Sequence, residues 1–447
     1  MSFIIGANSA SGGFSLDNSC RFDDGSTAYL SRTCGSTASS YTVSMWVKTA
    51  KSSGSSASGI WWNAATNKLG WELNDFGQIY YYNGSTYRTT AYLRDTSAWY
   101  HIVWKVDSGT GTLYVNNASA LIAGSPAGIP SLVSGNSLQI GADNGGGTFD
   151  GYIAEACFID GTALNPDQFA ESDEDSGIWK PIDVSGLTFG TNGFYLDFKD
   201  SAALGNDVSG NGNDLTANNL TAIDQTTDTP TNNGNVHNAL IKDTPTLSEG
   251  NLNITTSVSA TWETATATIG VNTSKWYCEY KVINKGSSAM FGVISMTEVN
   301  AVANGKHIGY SGLNSLGYGY NHGGQKYNND VDASYGDTYT TGDIIGIALD
   351  LDNHKLYFSK NGTWQNSGDP ESGATGTGSA YDLTTGYDYT FGGSVNSSSD
   401  QVSGNFGSPS FSISSGNADG NGYGNFEYSV PSGYLALCTK NLSEVLS

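Results

Sequence analysis

The sequence predicts an all-β protein of two domains, and three observations carry that prediction. Across residues 342–362, Ile345, Ile347, Leu349 and Leu351 alternate with Ile344, Gly346, Ala348 and Asp350, the period of a strand with one buried face. The composition holds 58 Gly but only 9 Pro, which suits many short strands joined by tight turns where glycine accepts positive φ. A chain of 447 residues is too long for one ordinary domain and long enough for two with sizeable cores. Charged residues make up only 14%, so solubility rests on Ser, Thr, Asn and Gly.

The first domain is expected over residues 17–180. Tyr41–Lys48 and Trp99–Val106 alternate as strands, and the Gly-rich turn Asp107–Gly111 leads into Thr112–Asn116. Tyr152, Ala154, Ala156 and Phe158 oppose Ile153, Glu155, Cys157 and Ile159 on a further strand. Asn165, Pro166 and Asp167 then offer an N-cap, a proline at the first helical position and an early acid, so a short helix is expected. The segments "YTVSMWVK", "WYHIVWKVDSGTGTLYVNN" and "FDGYIAEACFIDGTALNPDQF" resemble successive strands of a laminin-G-like, concanavalin-A-like jelly roll across residues 17–170.

Residues 181–250 alternate poorly. Asn206–Asp214 and Thr226–Gly234 are polar and turn-rich, so a loop-rich but ordered connector is expected. Phe194–Phe198 reads as a strand that either completes the first domain or bridges the two.

The second domain is expected over residues 251–447. Its central hairpin turns at Asp352–Lys355, resumes with Leu356 and Phe358, and ends at Asn361-Gly362, a hairpin-turn dipeptide. "KWYCEYKV", "GDIIGIALDLDNHKLYFSKNG" and "GNFG" stand in the order expected of SPRY domains. The resemblances together imply two antiparallel β-sandwich domains, the first a jelly roll. The whole series, including "GTNGFYLDF", "DVSGNGNDLTANNLT", "TDTPTNN" and the closing "PSGYLALCTKNL", resembles structural proteins of tailed bacteriophages, marine ones especially. The resemblance implies a virion protein, assembled in the host cytoplasm: a short fibre, tail-tip or head-decoration subunit. Its implied partners are other virion proteins, a homotrimeric arrangement, and a host-surface glycan or protein. Residues 1–16 would be the attachment arm.

The net charge of −23 and the pI near 4.3 argue against a nucleic-acid partner, because phosphate binding needs a basic patch and the 19 Lys+Arg are scattered. No segment approaches the roughly 18 consecutive apolar residues of a membrane span, so no membrane insertion is expected. The N-terminus has neither a basic region nor a long apolar run, so no secretory signal is expected. The five cysteines, Cys20, Cys34, Cys157, Cys278 and Cys438, show no zinc spacing and are expected as reduced, buried thiols, with a Cys20–Cys34 pair as the alternative.

Catalysis finds little support. Glycoside hydrolysis usually needs two carboxylates at defined separation, and no E-x-D-x-x-E pattern occurs. Glu171–Asp175 reads as a solvated acidic loop, and Asp350 with Asp352 as turn acids. The five histidines (His101, His237, His307, His322, His354) form no Ser/His/Asp or HExxH arrangement. The expectation is a non-enzymatic chain, with polysaccharide cleavage by the first jelly roll as the alternative. Asp143, Asn144 and Asp150 beside Gly145–Gly147 are hard-oxygen ligands of a kind calcium accepts, which makes calcium the one cofactor left open. The aromatic-rich stretches read either as packing or subunit interface or as a ligand surface; ligand contact is expected first at Tyr318, Tyr320, His322 and Tyr327, where neighbouring glycines relax the backbone, and second at Trp61 and Trp62. Aromatic faces stack on sugars and give contact area at little entropic cost.

Overall fold

The computed structural model describes residues 13–51, 57–72, 77–121, 126–144, 147–240, 245–302 and 305–445. The chain divides into two compact units, residues 1–233 and 234–447, and their described strands pair antiparallel except where Leu435–Ala436 runs parallel to Lys275–Asn284.

In the first unit, one sheet centres on Tyr41–Thr49, flanked by Tyr100–Asp107 and Gly151–Asp160. The other runs from Thr216–Asn218 through Tyr29–Thr33, Ser137–Ile140, Ala57–Ala64, Asn67–Glu72 and Gln78–Tyr82 to Thr86–Arg88. Their inner faces share one core, in which Tyr41, Val43, Met45 and Val47 meet Leu30, Ile60, Trp61 and Leu69. The expected strands form, and the turn after Asp107 is a two-residue hairpin with Ser108 and Gly109 both at positive φ, the handedness that matches strand twist. The expected helix is shorter, a single 3-10 turn over Pro166–Gln168 behind Asn165.

The expected connector at 181–250 is not a separate element. Phe194–Leu196 pairs with Gly151–Asp160, Thr216–Asn218 with Tyr29–Thr33, and Gln225–Thr226 with Ser19–Phe22. Phe194–Leu196 is the strand expected within 194–198, and its pairing makes it complete the first unit; polar loop composition hid the other two, because each is held by non-local pairing rather than by its own alternation. The first unit therefore runs to Asn233, not to 180. Of the expected arm 1–16, residues 1–12 lie outside the described residues. Leu16 is buried and its amide donates to Thr231, which ties that end into the same unit.

In the second unit, Lys275–Asn284 lies between Ile344–Asp350 and Gln401–Asn405, and Ile344–Asp350 pairs in turn with Lys355–Lys360. The facing sheet runs Glu263–Thr266, Tyr389–Val395, Ala289–Ser295, Gly317–Asn321, Gln325–Asn328 and Val331–Ser334. Rings bridge the two sheets: Tyr280 stacks on Phe291 at 4.8 Å and Tyr320 lies 5.3 Å from Phe358. The central hairpin forms as its alternation required, and Asn361 and Gly362, at φ 47° and 78°, turn the chain into Thr363–Trp364.

One expectation about that hairpin needs correction. Ile344–Asp350 has both faces buried, not one. The inner face fills the sandwich, while Ala348 on the outer face packs with Tyr277 and Tyr357 under Phe426, Tyr434 and Ala436. The first unit does likewise, laying Phe169, Val184, Phe189 and Tyr195 over Val103, Cys157 and Ile159. Each sandwich thus carries a partial third layer. All five cysteines are buried, Cys157 and Cys278 on strands as their alternation implied.

Buried polar groups fasten these layers. Lys48, fully buried on its strand, donates to Asp228 at 2.7 Å and Asn233 at 2.8 Å, and the Trp99 indole donates to the other Asp228 oxygen at 3.0 Å. In the second unit the fully buried His237 bonds the Asn251 carbonyl through Nδ1 and the Tyr280 hydroxyl through Nε2, an arrangement that suits the neutral ring. Burial holds its imidazole down at about 4.

Two outcomes follow. Asp228→Ala strands the Lys48 ammonium and should destabilise the first unit by about 3–5 kcal/mol in urea unfolding, with Lys48→Met on that background recovering most of the loss. For His237, a depressed folded-state value means stability is complete above the ordinary 6.5 and falls as pH drops towards about 4. Between pH 7 and pH 5 the second unit should therefore lose about 2 kcal/mol more than the same unit carrying His237→Gln. Carboxylates common to both proteins cancel in that comparison.

Candidate functional site

Four of the six rings expected to meet a ligand are turned inward. Gly317–Asn321 is a strand, not a loop, and its Gly-Tyr-Gly-Tyr alternation separates two faces. A Cβ on Gly319 would lie 2.5 Å from the Met290 sulfur, and one on Gly317 would lie 2.6 Å from Leu313. The glycines therefore admit close packing rather than relax a loop. Tyr318 and Tyr320 point the other way and are buried. Tyr318 bonds Thr384 and packs on Tyr381, while Tyr320 donates to the Asp337 carbonyl among Tyr335, Tyr339 and Phe358. Trp61 is a core ring stacked on Tyr41, and Trp62 is buried beside it in sequence. None of these four can stack on a ligand without unpacking. His322 and Tyr327 remain half-buried. Burial, and then Lys285, lowers the His322 imidazole, and Tyr327 stands edge-on to His307.

The expected oxygen ligands also part company. Asp143 pairs with Lys68, Asn144 takes a left-handed turn conformation, and Gly145 and Gly146 lie outside the described residues. Asp150 instead joins Asp23 and Asp24, with one ligand atom from each within 4.8 Å of the others. The turn after Phe22 presents two of these acids, and the start of Gly151–Asp160 presents the third. Chain neighbours suggested the first set, whereas antiparallel pairing of Ser19–Phe22 with Gly151–Asp160 makes the second. Three carboxylates suit a hard cation, but Lys51 pairs with Asp24 and reaches Asp150 at 3.9 Å. The triad already has a counter-charge.

The remaining acids serve structure. Asp350 is fully buried, pairs with Lys275 at 3.2 Å and accepts from the amide and side chain of Asn353. Asp352 accepts from Ser274. Asp173 accepts from Ser176 and Lys180 in the hairpin formed by Ala170–Ser172 and Trp179–Pro181.

The second unit carries a groove of about 450 Å³ that the sequence did not mark. Tyr277 and Ser359 contribute buried side chains to its lining; Trp364, Asp369, Pro370 and Glu371 come from the chain beyond the hairpin, and Tyr428–Pro431 from the covering segment. Trp364 and Tyr428 are half-buried. Gly362 makes room for Tyr428, since a Cβ there would stand 2.5 Å from the ring. Glu279 anchors that segment: its buried carboxylate accepts from the amides of Glu427 and Tyr428 at 2.9 and 2.8 Å, from the Tyr277 hydroxyl and from Asn405. Burial pushes the Glu279 carboxyl up, against the pull of those donors. Glu371 accepts from the Ser432 amide at 2.8 Å and Tyr434 donates to the Pro370 carbonyl at 3.0 Å, so the two sides are laced together. The available sequence signal was two of the nine prolines, Pro370 and Pro431, set among acids and aromatics.

Comparison with known proteins supports the two modules. Residues 23–170 match the concanavalin A-like lectin/glucanases superfamily, and residues 275–374 match the SPRY domain. The first unit therefore contains a concanavalin A-like domain and the second a SPRY domain. Among solved structures, the chain is similar to the SPRY domain of human HERC1, at 18% identity over 34% of this chain and 87% of that one, TM-score 0.26. It is also similar to another human SPRY domain, at 15% identity over 34% and 89%, TM-score 0.26. A third likeness is to domain 4 of AbnA, a GH43 extracellular arabinanase from Geobacillus stearothermophilus in complex with arabinotriose. There the identity is 20% over 30% and 66%, TM-score 0.25. No curated protein matches the chain.

The Lys51 ammonium decides how the acidic triad responds to calcium. Millimolar calcium chloride should leave the melting temperature of the wild-type chain unchanged. With Lys51→Gln the uncompensated carboxylates should take the ion, and calcium should then raise the melting temperature by several degrees. Differential scanning calorimetry with and without chelator checks both halves.

Proposed function

We propose that this chain is a non-enzymatic surface protein of a tailed-bacteriophage virion, a short fibre, tail-tip or head-decoration subunit that binds a host-surface glycan or protein. The observation that most supports this reading is the pairing, on one chain, of a lectin-type sandwich with a SPRY sandwich. The motif series in "GTNGFYLDF", "TDTPTNN" and "PSGYLALCTKNL" runs through and beyond both modules. Binding is also in keeping with the roles of Asp350, Asp173 and the Asp23, Asp24 and Asp150 triad, each of which is committed to a lysine or a turn. Loops at sandwich ends vary without cost to the core, which suits recognition of changing surfaces. Homotrimeric assembly belongs to the same reading, because virion appendages follow the symmetry of the particle.

Mass spectrometry of purified particles should find the chain, antibody labelling should place it on their surface, and light scattering of the free protein should give a trimer. Absence from mature particles would overturn the virion assignment. Release of reducing ends from host polysaccharide, abolished by one carboxylate substitution, would replace binding with hydrolysis.

A further inference from the structure

The groove in the second unit has chemistry narrow enough to name what fits it. Its lining residues include Asp369 and Glu371 but no lysine, arginine or histidine. A phosphate, sulfate or acidic sugar would meet two carboxylates and no counter-charge, so anions are disfavoured. Ionised carboxylates only accept hydrogen bonds. Asp369 and Glu371 each use one named oxygen within the protein, towards the amides of Glu371 and Ser432. The occupant must therefore bring donors.

Trp364 and Tyr428 supply the accessible rings of the lining, beside Pro370, Val430 and Pro431. Both rings are half-buried, fixed by their neighbours yet reachable, and Trp364 stands edge-on to Tyr277 at 6.5 Å. A molecule that offers C–H faces to rings and hydroxyls to carboxylates satisfies both kinds of wall. Ser359 supplies the third requirement. It is 1% exposed, its hydroxyl has no hydrogen-bond partner in the protein, and it belongs to the groove lining. An unsatisfied buried hydroxyl costs stability, and here a ligand hydroxyl can complete it. A quaternary ammonium would suit the rings and acids but has no hydrogen to donate and nothing to offer Ser359.

We infer that this groove is a saccharide-binding site for non-acidic pyranose units. Trp364 and Tyr428 stack on the sugar, Asp369 and Glu371 accept from its hydroxyls, and Ser359 makes the innermost hydrogen bond. Its volume of about 450 Å³ lies within the range of small-molecule sites. This inference deepens the binding reading above by naming a ligand class, and it is independent of where the chain resides.

The test is calorimetric titration of the full chain with maltotetraose, cellotetraose, mannotetraose, galactotetraose and chitotetraose, with tetragalacturonate and tetramethylammonium as the anionic and cationic comparisons. At least one neutral probe should bind. Trp364→Ala should weaken it by about tenfold or more. Ser359→Ala should weaken it several-fold while leaving the melting temperature unchanged or higher, because it removes an unsatisfied buried hydroxyl. A serine with a purely structural role would show the opposite pattern. No binding of any neutral probe up to about 10 mM, preference for either charged probe, or affinity unchanged in both variants would overturn the assignment. Particle mass spectrometry separates the two claims: a chain present in virions but blind to these saccharides loses the groove and keeps the virion reading.

Discussion

The structure depends on a buried charge set on an inner strand of each unit. Lys48 in the first and Glu279 in the second lie on strands with neighbours on either side, and both are fully buried. Each reaches a segment outside the regular core of its own sheet. Lys48 holds residues 228 and 233, and Glu279 holds residues 427 and 428. Desolvating a charge costs several kcal/mol unless its bonding is complete, so these segments have little freedom to leave. The two clamps solve the problem differently. Lys48 has an anionic partner, whereas Glu279 rests on four neutral donors, with burial pushing its carboxyl up. The clamp makes the turn-rich polar sequence around each segment a fixed part of the fold.

That constraint explains what the sequence disclosed and what it withheld. The hairpin of Ile344–Asp350 and Lys355–Lys360 was legible down to its turns, because alternation and Asn361-Gly362 act through neighbours in the chain. The short strands at Thr216–Asn218 and Gln225–Thr226 were not, since each gains its place from a partner far away in sequence, and for Phe194–Leu196 the strand was legible but its partner was not. Alternation also gives a period without a direction. It placed Tyr318 and Tyr320 on one face of their strand but could not say that this face looks into the sandwich, towards Phe358. The oxygen ligands show the same limit. Asp143 and Asn144 are near Asp150 in the chain, yet strand pairing brings Asp23 and Asp24 to it instead.

The buried tyrosines show why aromatic richness was a poor guide to a binding surface. With few charges in the chain, Tyr does structural work that Leu or Phe does elsewhere: its ring fills the core and its hydroxyl closes a backbone or side-chain bond. Tyr339 bonds the carbonyls of Ala289 and Tyr320, Tyr434 that of Pro370, and Tyr280 the ring of His237. A buried hydroxyl without such a bond would cost stability, so these pairings define where each ring sits. The aromatics that remain half-buried then carry more meaning than the many that do not.

The location of the groove follows from the third layer. In the first unit the covering residues Phe169, Val184, Phe189 and Tyr195 bury the outer face around Cys157 and Ile159. In the second, Phe426, Tyr434 and Ala436 cover Tyr277, Ala348 and Tyr357, while Trp364, Tyr423 and Val430 are only partly buried against that cluster. The chain has just turned at Gly362, where the absence of a Cβ lets Tyr428 lie close. Beyond that point the covering segment is held by Glu279 on one side and by Glu371 on the other, with open volume along Ser359 and Trp364. Fully sealing the face would bury the Asp369 and Glu371 carboxylates without a cation, which is more costly than leaving the groove open. The same charge balance that keeps the layer from closing fits the opening to a neutral, hydroxyl-rich occupant.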